Sequence, residues 1–303
     1  EEATTKVLAR VRVVVLTVDL AIKILGGMSR KHASLLSRHI ELGIVDEAHN
    51  VSRDQFFCLA AHIGCLVAAG DPCQDLRGGR PGDCGSAIDW LKANAVSHAQ
   101  TEQWRYGPEV LRLLALERTM GFEAMVNSAR CARDQPTTVR TFAFYALDWT
   151  ALPDGSVWRC PELFAFIFAL ALEAKTRNCR RVAVITNYDR VRVALQAFLA
   201  RVRGGNDACM PDSLEVLTPE EASGSNVDAT IVLGAHRRHI DETLWHGGHQ
   251  AQAKRRYVGL TRASGLLNIL VEGPRPHAQA PRFADDYWLR VVAHCKADWK
   301  DLK

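Results

Sequence analysis

Residues 42–50 read LGIVDEAHN, an apolar run that stops on two adjacent carboxylates, Asp46 and Glu47. A short apolar run with a polar end fits a strand buried on both faces of a parallel sheet. The form recurs upstream in VRVVVLTV (11–18) and downstream in CLVAAGD (65–71). SRKHASLLSRHI (29–40) and SRDQFFCLAAHI (52–63) lie between these runs, with apolar residues at helical spacing. Strands alternating with helices imply an α/β fold with a covered parallel sheet. The pattern then repeats. RVAVITNY (181–188), LEVL (214–217), VDATIVLGA (227–235) and LLNILVEG (266–273) predict strands. ELFAFIFALALEAKTR (162–177) and DRVRVALQAFLARVR (189–203) predict helices. The reading is of two α/β domains, the first over 1–118 and the second over 136–274, with a helical appendage over 275–303. The polar, strand-poor region 118–136 divides them.

Composition narrows the class. With 303 residues, 48% of them hydrophobic, the chain can bury two ordinary cores. The formal net charge is only +4, so a nucleic-acid surface would be a local patch. Nine scattered cysteines without a Cys-x-x-Cys pair argue against a disulfide framework and a zinc ribbon, and point to a reducing intracellular compartment, cytoplasm or nucleus. No apolar run approaches the roughly 20 residues of a membrane span. The chain begins with Glu rather than Met, which predicts a fragment or a processed product.

Four polar segments at predicted element ends carry the chemistry. In DEAH (46–49), Asp46 can hold Mg²⁺ through its water shell while Glu47 reaches an attacking water. An acidic turn that caps the next helix is the alternative, with His49 as a helix-start or packing residue. In AAGDPCQDL (68–76), Gln74 places an amide where it can donate to a terminal phosphate or orient water; an ordinary turn is the alternative. TEQWRYGPEVLRLL (101–114) offers Arg105 as a guanidinium and Trp104 or Tyr106 as a flat face for a base, or else an aromatic–arginine surface pair. RRYVGLTRASG (255–265) sets Arg262 at the end of a helix, directly before a strand, where it can hold one fixed positive charge over a phosphate.

Taken in order, DEAH, GDPCQ, QWRYGP, VITNY, LTPEEASGSNVDATIVLGA and YVGLTRA resemble the successive motifs II to VI of the superfamily 1 helicases. The likeness spans roughly residues 10–273. Its forms are most similar to the branch containing the nonsense-mediated-decay helicase and the Dna2-like nucleases. The resemblance implies two RecA-like parallel-sheet domains with ATP and Mg²⁺ between them, moving on single-stranded RNA or DNA. It implies that Arg262 is the arginine finger and Arg105 its partner, and that Gln74 senses the γ-phosphate. Gln103, Trp104, Gly224 and Asp228 would line or couple to the nucleotide cleft. Thr17 and Thr218 would approach the nucleic-acid backbone, with Arg237 and Arg238 as further contacts.

The chain departs from the family in one major respect. It contains no Gly-x-x-x-x-Gly-Lys-[Ser/Thr], since GGMSRKHAS (26–34) has the wrong spacing and GGRPGDCGS (78–86) has no lysine. The first RecA-like domain is therefore expected to be incomplete, with its phosphate loop supplied by an upstream segment of the parent chain. ASGSNVD (222–228) carries Ser223 and Asn226 where the branch usually has glutamine and glutamate. A nucleic-acid-binding or scaffold module of helicase descent, without turnover, is the second expectation. Arg201–Arg203, Arg237–Arg238 and Lys254–Arg256 are the basic sets open to backbone contacts or to a solvated face.

Overall fold

The computed structural model describes residues 13–26, 40–76, 85–117, 130–131, 136–145, 147, 149–151, 158–203, 211–234, 248–273, 286–297 and 299–300. The chain divides into two compact units, Glu1–His98 and Ala99–Lys303.

The first unit contains α1 (Val18–Gly26), β1 (Gly43–Val45), α2 (Arg53–Ala60), β2 (Leu66–Ala68) and α3 (Ala87–Asn94). β1 and β2 pair in parallel, Ile44 opposite Val67. Alternation along these short strands sends Val45, Leu66 and Ala68 into a core with Leu25, Phe56, Leu59, Ala87 and Ile88 from the helices. The opposite face carries Ile44, 71% exposed, and Val67, 50% exposed. α2 opens on a capping box, Ser52 with Gln55, and Ser86 accepts the Asp89 amide at the start of α3. The run at 11–18 behaves differently from its reading as a strand. Residues 13–17 form no strand, Val13–Leu16 are exposed, and Val18 already begins α1 because the Thr17 hydroxyl caps it, accepting from Leu20 N at 3.3 Å. Most of the predicted helix at 29–40 lies outside the described residues.

In the second unit come β3 (Glu102–Gln103), α4 (Pro108–Leu114), β4 (Arg130–Cys131), β5 (Thr138–Tyr145), β6 (Thr150–Ala151), β7 (Trp158–Arg159), α5 (Pro161–Thr176), β8 (Arg181–Thr186), α6 (Asp189–Arg203), β9 (Ser213–Leu217), α7 (Pro219–Ala222), β10 (Val227–Leu233), α8 (Gly248–Thr261), β11 (Ala263–Gly273), α9 (Asp286–His294) and β12 (Trp299–Lys300). Six strands form one sheet in the order β12-β5-β11-β10-β8-β9, every neighbouring pair parallel. The expected strands β8 to β11 and helices α5 and α6 are all present. Sequence reading missed β5, although it is the partner of β11 along eight residues.

Helices cover both faces, as parallel strands require. On one, Val182, Val184, Ala229, Ile231, Leu266 and Leu270 pack with Leu163, Phe164, Ile167 of α5 and Val191, Leu195 of α6. On the other lies α8, whose Gly259 sets a would-be Cβ 3.6 Å from Val232 and 3.8 Å from Ile185. α9 belongs to this layer too: Tyr287, Trp288, Val291 and Val292 are buried, and the chain end adds β12 beside β5. The described part of the stretch read as an appendage, 286–297 and 299–300, thus belongs to the second unit. Segment 101–117, read as the end of the first domain, also packs here, since Tyr287 Oη donates to Leu113 O (3.0 Å) and Arg290 Nε to Leu116 O (3.1 Å).

The cysteines follow from this packing. Cys160 and Cys179 are buried, and burial pushes both thiols up, Cys160 to about 12, which leaves them unreactive near neutral pH. Cys58 and His62 are only half-buried and Cys65 is exposed. Among the described residues no cluster of three or more His, Cys, Asp or Glu is placed to hold a metal ion, and no helix is long and apolar enough to cross a membrane.

One defect in the core is testable. Asn268 is fully buried between Ile231 and Arg140 of the neighbouring strands, with neither its amide nitrogen nor its carbonyl oxygen hydrogen-bonded. Unsatisfied buried groups cost on the order of 1–3 kcal/mol each. Asn268→Leu is expected to raise the unfolding free energy of the second unit by about 1–3 kcal/mol, read from urea titration.

Candidate functional site

Two polar constellations are built at strand ends, one in each unit.

In the first unit the turn after β1 and the turn after β2 are joined by a histidine. Asp46 Oδ1 accepts the Glu47 N–H at 2.9 Å. Glu47 then adopts φ 51°, ψ 41° as it enters the short helical turn Ala48–Asn50. That left-handed conformation costs a residue other than glycine on the order of 1 kcal/mol, and such strain clusters at functional positions. His49 follows, fully buried, with Nε2 3.2 Å from Glu47 Oε2. Its Nδ1 accepts the Asp71 N–H at 3.2 Å, which leaves Nε2 to carry the ring proton. Asp71 in turn accepts from Cys73 N (2.9 Å) and from Gln74 Nε2 (3.1 Å). Gly70 permits the approach, since a Cβ there would lie 3.0 Å from His49 N and 3.1 Å from Ala48 N. Asp46, Glu47 and Gln74 are therefore held in one network. His49 is its hub, and sequence reading gave it no such role; the signal was a histidine two residues after a strand-end carboxylate pair.

In the second unit three chosen segments meet at the N-terminal rim of the large sheet, where β5, β11, β10 and β8 begin. Arg262 follows the last residue of α8 and is 0% exposed. Its Nε donates to Val258 O (3.2 Å), its Nη1 to Ser225 O (3.3 Å) and Ala222 O (3.5 Å), and its Nη2 to Thr261 Oγ1 (3.1 Å). The main chain repeats the link, Val227 N donating to Arg262 O at 3.3 Å. Gly224 takes φ 76° in the turn that brings those carbonyls round. Thus Arg262 and the 218–228 segment form one site. The third segment joins through Thr137: Gly107 N donates to Thr137 Oγ1 (2.7 Å), which donates to Ser264 O (3.3 Å). This brings the loop with Arg105 against the strand that starts after Arg262.

Gln103 braces its own loop, accepting from Arg105 N at 2.9 Å and donating to Tyr106 O. Trp104 points outward, 65% exposed, while Arg105 is half-buried. Asp228 accepts both the Arg180 N–H (2.8 Å) and the Arg181 N–H (2.9 Å) through Oδ2. The Thr218 hydroxyl caps α7, accepting from Glu221 N at 3.3 Å. Arg237 and Arg238 lie outside the described residues. Of the other basic sets, Arg255 pairs with Glu220 at 3.0 Å in an exposed contact, and Arg256 is buried against Glu117.

No family model matches the chain, and no curated protein matches it. Among solved structures the chain is similar to the C-terminal domain of a possible DNA helicase from Lactobacillus plantarum WCFS1, with 14% identity, a TM-score of 0.34, and coverage of 55% of this chain and 88% of that one.

The first constellation separates support from exposure. His49→Ala is expected to destabilise the first unit by roughly 1–3 kcal/mol, as it strands the Asp71 amide and opens a buried site. Asp46→Asn keeps the accepting Oδ1 on an exposed residue and should shift stability by less than about 0.5 kcal/mol. Paired denaturation curves check both.

Proposed function

We propose that the chain is most of the core of an ATP-dependent nucleic-acid helicase or translocase of the superfamily 1 kind, with two RecA-like domains, the first incomplete. The observation that carries this reading is the convergence at the second unit's rim. Arg262 is bonded to the carbonyls of Ala222 and Ser225, and the Arg105 loop is tied by way of Thr137 to Ser264. A scaffold has no chemical need to gather two guanidinium-bearing segments and a glycine turn at one edge. In the first unit the Asp46–Glu47 turn and Gln74 are linked through His49 and Asp71, which fits a pair of loops that report to one phosphate.

The donor chemistry suits Mg²⁺ and ATP in part. Asp46 is an exposed hard oxygen donor that would hold Mg²⁺ through water, and the ion would neutralise phosphate charge. Glu47, with His49 Nε2–H beside it, would orient the attacking water, and Arg105 and Arg262 would oppose charge on the terminal phosphate. Trp104 offers an exposed face for a base. The backbone cradle for the phosphates is not encoded in these residues and would come from an upstream segment of the parent chain. The site of action would be a reducing intracellular compartment.

A second reading is favoured by two specific observations. The guanidinium of Arg262 is wholly buried among carbonyls, and Asp228 is committed to two backbone amides. Both fit a helicase-derived module that binds single strands without turnover.

Nucleic-acid-stimulated ATP hydrolysis decides between them, measured on this chain and on its full parent polypeptide. The motor reading expects turnover in the parent, loss of at least about 100-fold in Glu47→Gln, and loss of about 10³-fold in Arg262→Ala. Oligonucleotide binding that falls steeply with salt, beside a parent without turnover, would establish the binding module instead.

A further inference from the structure

The second unit holds a buried ion pair that the site as described does not use. Arg256 of α8 donates from Nε (2.8 Å) and Nη2 (2.6 Å) to Glu117 Oε2. Both side chains are nearly dry, 7% and 5% exposed. The Tyr287 ring of α9 lies 4.9 Å from the guanidinium, and its hydroxyl donates to Leu113 O. Such a pair is a poor way to gain stability, because desolvation offsets its Coulomb attraction and apolar residues of the same volume would serve as well. What it does supply is geometry. A carboxylate and a guanidinium of fixed shape hold α4 and α8 in one register.

The position of the pair gives that register a purpose. α4 begins just after the Arg105 loop and ends just before Glu117. α8 carries Arg256 and ends at Thr261, directly before Arg262. At the other end of α4, Gly107, Thr137 and Ser264 make the second link. The two segments that bear Arg105 and Arg262 are therefore clamped together at both ends of α4. We infer that Glu117 and Arg256 are positioning residues, which set the spacing of Arg105 and Arg262 through α4 and α8. Their part in phosphoryl transfer rests on the function proposed above; the clamp itself does not.

The test compares wild type, Glu117→Gln, and the double variant Glu117→Met with Arg256→Met, which keeps an apolar fill of similar length. Native-state hydrogen exchange is read at the rim amides of Gly107 and Val227, well away from the substituted side chains in sequence, together with the thermal midpoint and steady-state ATP hydrolysis. Positioning expects the rim amides to exchange about tenfold faster or more in both variants, even where the double variant keeps its thermal midpoint. In a chain that turns over ATP, kcat should fall while KM holds. If the double variant restores wild-type exchange at Gly107 and Val227, the pair is only filling space and the inference is overturned. If Glu117→Gln raises exchange only around residues 113–117 and 256, it is overturned as well. Faster exchange at the rim in both variants, beside a full-length protein that never hydrolyses ATP, would uphold the clamp and remove the proposed function instead.

Discussion

A guanidinium without water has to be given acceptors, and in this protein that requirement organises the second unit's rim. Arg262 is long, permanently charged and completely buried, so its donors must be met from within. Its acceptors include main-chain carbonyls of Val258, Ala222 and Ser225, and the hydroxyl of Thr261. Carbonyls converge on one point only if the chain turns to present them, which is why the 222–226 turn passes through a positive φ at Gly224. The start of β10 is then bound to the start of β11, and the rest of the rim is assembled against that joint. The same bonds that order the rim also keep the charge inward. Any action on a phosphate would exchange some of these carbonyls for anionic oxygens, a substitution that a buried guanidinium favours.

The first unit is governed by a different shortage. Its two described strands have a core on one face, while Ile44 and Val67 face outward on the other. Parallel sheets are ordinarily covered on both sides, and two strands make a marginal sheet. Order in this unit leans on side chains at the strand ends. His49, buried between the two turns, bonds one and contacts the other, with Glu47 in a strained conformation beside it. Loops tied in this way move together, and this is useful where a carboxylate and an amide must respond to one ligand.

Legibility in the sequence followed the local character of each signal. The strands β8, β10 and β11 are continuous apolar runs buried on both faces, and α5 and α6 have helical spacing, so each declared itself. β5 did not, because TVRTFAFY (138–145) mixes threonine and arginine with its aromatics and owes its strand state to pairing with β11 across a long separation. VRVVVLTV erred the other way: β-branched residues promised a strand, but among the described residues none pairs with Val13–Leu16, and the Thr17 cap starts a helix. Within the site, residue types at strand ends were readable and their partners were not. Nothing local to Arg262 announces that its acceptors are Ala222 and Ser225, and nothing near Arg256 announces Glu117, since these pairs are made only when distant elements pack.

On the function proposed above, Arg262 and Arg105 would meet one anion from the same rim. Arginine side-chain ¹⁵Nε NMR tests it most directly, with Arg262→Lys and Arg105→Lys to assign the signals. Without nucleotide, the Arg262 Nε–H bonded to Val258 O should give a sharp, slowly exchanging resonance. Addition of Mg²⁺ with a non-hydrolysable ATP analogue should then shift the Arg262 and Arg105 signals together along one saturation curve. An Arg262 Nε–H that exchanges as fast as an exposed arginine, or signals at both positions that stay fixed while nucleotide saturates elsewhere, would contradict the account.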